Sequence, residues 1–208
     1  MHPAINSYST FTMYNLIFKR RSVRFFKDTD ISKVDMREIL RAGMWAPSAK
    51  NRQPWKFIVV KGESKKTALS LMEQGIEKSE KGEGVLAGAP ELYTNARFTL
   101  QCMQQAPVLV FIVNPKGRPL TDNWTAAEKI HELSDVQAIG AAAENMALQA
   151  TSMGIGSLWI GNIFFAYEEL HDWLGEGEMV MAMSFGYPNH NPCPLARKSE
   201  DDVIEVRL

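Results

Sequence analysis

Six consecutive apolar residues, Val108 to Val113, follow Ala106-Pro107. The run is rich in β-branched and aromatic types and reads as a strand. It is far too short to span a bilayer, which needs about 20 residues. Successive side chains of a strand point to opposite faces of its sheet. A strand with no polar position is therefore covered on both sides, and the chain must supply layers above and below it.

The flanking sequence offers helices for those layers. Ser32 is an N-cap with Asp35 three residues on, and Met36, Ile39, Leu40 and Gly43 follow at helical spacing up to Pro47. Glu63 to Gln74 and Leu92 to Gln105 read as further helices, the first with Leu69 and Met72 inward. A long helix capped by Ser134 or Asp135 carries Val136, Ile139, Ala143, Met146, Ala147 and Ala150 on one stripe, and Gly154 stops it. Tyr167 to Leu174 is a short amphipathic helix. Strands are expected at Lys56–Val60, Leu158–Ile160 and Met179–Phe185, with an edge strand at Asp202–Val206. A short helix is expected over 13–19, loops over 78–88 and 114–132, and a flexible or dimer-gripping tail over 1–11. With no repeat or composition break, residues 1–208 read as one α+β domain around a central sheet.

Composition limits the partners. A net charge of −1 supplies no field to draw in nucleic acid or an acidic membrane surface. Two cysteines make no disulfide framework, and the N-terminus lacks the pattern of a signal peptide, so a cytoplasmic protein is expected. The four histidines have no metal-ligand spacing, and no metal site is expected. Gly154-Ile155-Gly156 follows a helix and lacks a third glycine, which excludes a dinucleotide fingerprint there.

Two clusters stand out. Arg20, Arg21, Ser22 and Arg24 gather three guanidinium groups and a hydroxyl within five residues. Such a set suits a phosphate monoester, whose oxygens take paired N–H donors. On composition alone a basic helix end, favourable against the helix dipole, is an equal reading. The second cluster, Ala46-Pro47-Ser48-Ala49-Lys50-Asn51-Arg52-Gln53-Pro54-Trp55, is a polar loop stiffened by two prolines. Read alone it is an ordinary helix-to-strand connection. Together the clusters suit an anionic, planar ligand with polar edges, a description that flavin mononucleotide (FMN) meets.

These residues carry a resemblance. Arg-Arg-Ser-Val-Arg-Phe-Phe from Arg20, the loop from Ala46 to Trp55, Gly154 to Gly161, Gly186-Tyr187-Pro188 and Arg197-Lys198 resemble the flavin-dependent nitroreductase family. The resemblance spans nearly the whole chain. It implies a nitroreductase-like fold with a mixed or antiparallel sheet flanked by helices, and an intertwined homodimer with FMN at the subunit interface. It implies phosphate contacts from Arg20, Arg21, Ser22, Arg24 and Arg197, with Lys198 an alternative to Arg197. It assigns Pro47, Ser48, Asn51 and Gln53 to the partner's flavin, and Ile160 and Gly161 to a backbone N–H near flavin N5.

The implied reaction is ping-pong: NAD(P)H reduces the flavin, and a small-molecule electron acceptor such as a nitroaromatic or quinone then takes the electrons. The flavin carries that chemistry, so no catalytic side chain is named. Phe98, Trp124 and Phe165 are candidate aromatic contacts in the acceptor pocket, with packing the competing reading. Alternatives that use the same motifs are a dehalogenase, an azoline- or flavin-modifying enzyme, and a non-enzymatic flavin-binding or sensing protein. An anion-binding module without flavin is a further reading.

Overall fold

The computed structural model describes residues 15–119, 122–175 and 177–207. The tail expected over 1–11 lies outside them. Helix α1 is described over residues 15–19. There follow α2 (Lys33–Met44), β1 (Lys56–Val60), α3 (Gly62–Glu80), α4 (Tyr93–Gln105), β2 (Val108–Asn114), α5 (Ala126–Ser152), β3 (Gly156–Ile160), α6 (Tyr167–Leu174) and β4 (Glu178–Gly186).

The four strands form one sheet in the order β1-β2-β4-β3, and every neighbouring pair is antiparallel. All seven residues of β2 are buried, as its unbroken apolar run requires. Leu109 and Phe111 enter a core with α3, α4 and α6. Val108, Val110 and Ile112 enter the opposite core with α2 and α5. A bulge adjusts the pairing of β2 with β4: Ile112 opposes Met181 but Val113 opposes Met179, leaving Val180 as the extra residue. Met181 therefore faces the α5 side while Met179 faces the other. Among the described residues, no helix is long and apolar enough to cross a membrane.

Three expectations are corrected. Helix α5 starts at Ala126 and is capped by Thr125, not by Ser134 or Asp135, because Thr125 and Glu128 form a reciprocal capping box nine residues before the earlier expected cap. The loop over 114–132 is correspondingly shorter. Helix α3 runs on to Glu80, into the region expected as loop, and buries Ile76 and Ser79 beyond the expected stop. Residues 202–206 form no strand: a turn ends at Val203 and the remainder is exposed and non-regular. That stretch has strand-like composition but no described sheet edge beside it.

Candidate flavin site

The phosphate-type cluster is shaped by β3. After α1 the chain runs beside β3, with Ser22 bridged to Ser157 in parallel and the Val23 N–H donating to the Ser157 carbonyl at 2.9 Å. Val23 then fills the space left by Gly156, where a Cβ would lie 2.6 Å from its Cγ2. The chain continues to Phe26, which bridges to Pro188. This edge pairing fixes the backbone of residues 22 and 23, so Arg20 to Arg24 fan out from a rigid line. Gly161 lies four residues along β3 from Ser157, about 13 Å at strand spacing.

The four donors differ in commitment. Arg20 is half-buried, with Nε 3.1 Å from Glu144 Oε1 on α5. Arg21 turns back on α1, its Nη1 donating to the carbonyls of Phe18 at 2.6 Å and Arg20 at 2.8 Å. It thus satisfies helix-end acceptors as well as adding charge. Ser22 is half-buried and Arg24 exposed, and Arg24 has no ion pair or hydrogen bond among the described residues. The basic-helix-end reading therefore describes Arg21, whereas Arg24 and the outer edge of Arg20 suit an anion. Arg24 also adds a positive charge near Cys102, but burial dominates there and pushes that thiol up. A raised thiol pKa argues against a thiolate nucleophile.

The polar loop is the strained part of the molecule. Lys50, Asn51 and Gln53 all have left-handed backbones, with φ of 53°, 54° and 50°. None is glycine, and each such residue costs about 1–2 kcal/mol, less for Asn. Local bonds offset part of that cost: Ser48 Oγ accepts from the Gln53 N–H at 2.9 Å, and Gln53 Nε2 donates to Asn51 Oδ1 at 3.2 Å. Arg52 Nε and Nη2 both donate to Asp135 Oδ1 on α5, at 3.0 and 2.6 Å. The loop leaves Pro47, Asn51 and Gln53 exposed and Ser48 half-buried. Trp55 stacks on Phe57 with a 7° interplanar angle and packs on the core, as a core residue should.

At the end of β3, Ile160 is buried and Gly161 exposed. Gly161 has φ −92° and ψ −23°, which any residue adopts, and a Cβ there would touch nothing within 4 Å. Neither conformation nor packing calls for glycine, so close approach of another molecule is the remaining physical reason for it. Asn162 Nδ2 donates to Thr99 Oγ1 at 2.9 Å, tying this turn to α4.

Arg197 stands apart. It is exposed in the non-regular segment after β4, and no described bond ties it to the Arg20–Arg24 line. Phe165 is core, which settles it as packing. Trp124 is half-buried, its Nε1 donating to the Pro119 carbonyl, and Phe98 is 40% exposed against Phe25. Sequence reasoning missed Glu144, Asp135 and the Thr99–Asn162 tie. Only their distance in space, not their spacing in the chain, connects them to the site.

Two cavities of the chain, of about 440 and 460 Å³, are lined by none of the candidate flavin contacts. The first lies beside α6, where burial raises the pKa of Glu178 despite a 2.9 Å hydrogen bond from Tyr167.

Known proteins match over most of the chain. The model of the nitroreductase family matches residues 17–187. A protein of Archaeoglobus fulgidus named as an NADH dehydrogenase/NAD(P)H nitroreductase is 32% identical over 199 residues, covering 92% of this chain and 88% of the relative. The chain belongs to the nitroreductase family. This makes it a flavoprotein oxidoreductase by class. An iodotyrosine deiodinase of Thermotoga neapolitana is 26% identical over 193 residues, covering 90% of this chain and 94% of that one. In fold, the chain resembles a protein of Desulfovibrio desulfuricans described as a nitroreductase and solved with FMN. The TM-score is 0.67 at 23% identity, over 94% of this chain and 97% of that one. The nitroreductase fold expected from the motifs is therefore the fold found.

Proposed function

We propose that two copies of this chain hold FMN at their interface and use NAD(P)H to reduce a small electron acceptor, with nitroaromatics and quinones as the acceptor class. The observation that supports this reading is that β3 bears both groups: the Arg20–Arg24 segment bridges to it at Ser157, and the Ile160–Gly161 turn ends it. When bound, FMN supplies two-electron redox chemistry, accepting hydride from NAD(P)H and passing electrons to the acceptor in a separate half-reaction. Arg20, Ser22 and Arg24 hold the phosphate, Arg21 adds charge, and Arg197 closes over it from the C-terminal segment. The Gly161 backbone stands against the ring. Pro47, Ser48, Asn51 and Gln53 present a preset polar edge to the partner's flavin.

The need for a second copy rests on exposure. The candidate residues line an open surface, and apolar groups lie uncovered around them. Trp45 is 79% exposed, Ile130 63% and Leu133 64%. The N-terminal part of helix α5 exposes Ile130, Leu133 and Val136, which suits burial between two copies. The free thiols Cys102 and Cys193 suit a reducing cytoplasm.

An absorption spectrum of the purified protein tests the reading first. Oxidised-flavin bands, with FMN released on unfolding, are expected, and Arg24→Ala should weaken FMN binding by about 10- to 100-fold through one lost charge-assisted contact. A dimer that takes up no FMN, or an Arg24→Ala variant with the parental Kd, overturns the assignment. Turnover with NADH or NADPH and an acceptor panel then tests the reaction. The Thermotoga relative favours a second reading, reductive dehalogenation of an aromatic at the same site. Halide release from a halophenol in place of nitro or quinone reduction would select it.

A further inference from the structure

The loop from Pro47 to Pro54 holds three non-glycine residues in left-handed geometry within four positions. Its internal bonds, Ser48 with Gln53 and Gln53 with Asn51, are solvent-exposed, where water competes for the same groups. Arg52 sits between the strained residues Asn51 and Gln53 and is itself relaxed, at φ −67°. Its guanidinium reaches across 83 residues of sequence to Asp135, and two of its N–H groups converge on one carboxylate oxygen. Asp135 is 8% exposed. A partly buried, doubly hydrogen-bonded ion pair is stronger and less screened than a surface pair.

Helix α5, which carries Asp135, serves the rest of the site too. Nine residues on, Glu144 holds Arg20, and Asn145 Nδ2 donates to the Ala42 carbonyl in the last turn of α2, just before the loop. One helix thus fixes both ends of the site's polar machinery. Arg52 is nevertheless turned inward to the helix rather than outward with Asn51 and Gln53.

We propose that Arg52 and Asp135 are a positioning pair that holds the strained loop in the form its exposed polar edge needs to meet flavin, an inference that rests on the proposed FMN site. Arg52 touches no cofactor. It acts through Asn51 and Gln53, by making their unfavourable backbone geometry the stable one before the ligand arrives. Lysine cannot replace it fully, because an ammonium lacks the planar fork that puts two donors on one oxygen.

The test compares the full-length dimer with Arg52→Met, Arg52→Lys, Asp135→Asn and the double variant Arg52→Met/Lys50→Gly. Two quantities are read: the FMN Kd from flavin fluorescence, and amide exchange at Gln53, whose N–H donates to Ser48. Arg52→Met should raise the Kd about tenfold, the size of one lost charge-assisted contact, and speed exchange at Gln53 while amides of β2 stay protected. Arg52→Lys should fall between. Lys50→Gly should restore part of the affinity in the Arg52→Met background, since glycine adopts the left-handed form without an anchor. A merely structural pair would show no such rescue. Unchanged Gln53 exchange in Arg52→Met overturns the lock, and faster exchange with an unchanged Kd overturns its role in cofactor binding. Should Arg52→Met fail to fold, the isosteric Asp135→Asn decides by the same two readings. A parental dimer that binds no FMN overturns the cofactor role and the FMN reading together, while the exchange comparison still decides whether the pair holds the loop.

Discussion

The loop before β1 and the turn after β3, the two segments proposed to meet flavin, are built on opposite principles. The loop has no glycine but three left-handed backbones, and it is pinned by Arg52 to α5. The turn has a glycine but no strain, with φ −92° at Gly161 and open space where a side chain would go. In the first, side chains are the working surface, so strain is tolerated to aim them. In the second the backbone is the working surface, so the side chain is absent and the geometry is ordinary. On the proposed reading, glycine marks approach at 161, and its absence at 50, 51 and 53 marks a cost carried elsewhere.

The contrast is broken most sharply at Gly161. A Cβ there meets no protein atom within 4 Å, so Gly161→Val should leave the stability of the flavin-free protein within the roughly ±0.5 kcal/mol range of surface changes. FMN affinity should nevertheless fall about 10- to 100-fold, the equivalent of about 1–3 kcal/mol of overpacking against the ring. Thermal melts without flavin and a fluorescence titration with it measure the two halves. A Gly161→Val protein with the parental Kd would mean that the backbone at 161 is not close to the cofactor, and the distinction between loop and turn would lapse.

A milder change sharpens the same contrast. Asn162→Ala removes the donor to Thr99 Oγ1 that ties the turn to α4. An unstrained turn needs only light restraint, so the expected stability loss is about 0.5–1.5 kcal/mol, one ordinary hydrogen bond. FMN affinity should fall by less than in Arg52→Met, and Thr99→Ser, which keeps the hydroxyl, should behave as the parent. Equal losses of affinity in Asn162→Ala and Arg52→Met would show that the turn is held as tightly as the loop.

How much of this was legible in the sequence depends on which interactions are local. The apolar run from Val108 announced a strand covered on both faces, and helix α6 was readable to its ends from its amphipathic pattern. The Arg20–Arg24 cluster was visible as a concentration of cations within five residues, but composition alone left it balanced between an anion site and a basic helix end. The start of α5 was missed because the mid-helix Ser134 and Asp135 look like a cap. In fact Ser134 bonds back to the Ile130 carbonyl and Asp135 is spent on Arg52. Residues 202–206 were misread because strand composition says nothing about whether an edge is present to pair with. The strain at Lys50, Asn51 and Gln53 was invisible, since only Asn among them favours left-handed geometry. The Arg20–Glu144 and Arg52–Asp135 pairs span more than 80 residues each, a distance over which one sequence carries no signal.

The smallest expected effect tests whether the pinned loop depends on the whole of α5 or only on its middle. The first turn of α5 is fastened by Glu128, whose carboxylate accepts from the Thr125 hydroxyl at 2.7 Å and the Thr125 N–H at 2.8 Å and pairs with Arg118. These bonds hold the Glu128 pKa down at about 2. A depressed carboxylate contributes stability that is complete above its unfolded value of about 4.3 and disappears as pH falls through the folded value. Between roughly pH 4 and 2 the amides of residues 126–129 should therefore lose protection relative to their intrinsic exchange rates, and Glu128→Gln should show that lost protection already at pH 6. Asp135 lies seven residues further on, about two turns along the helix, so exchange at Gln53 should stay at its parental rate in Glu128→Gln. If Gln53 loosens together with residues 126–129, the helix transmits fraying to the loop, and the anchor is all of α5 rather than the single carboxylate at 135.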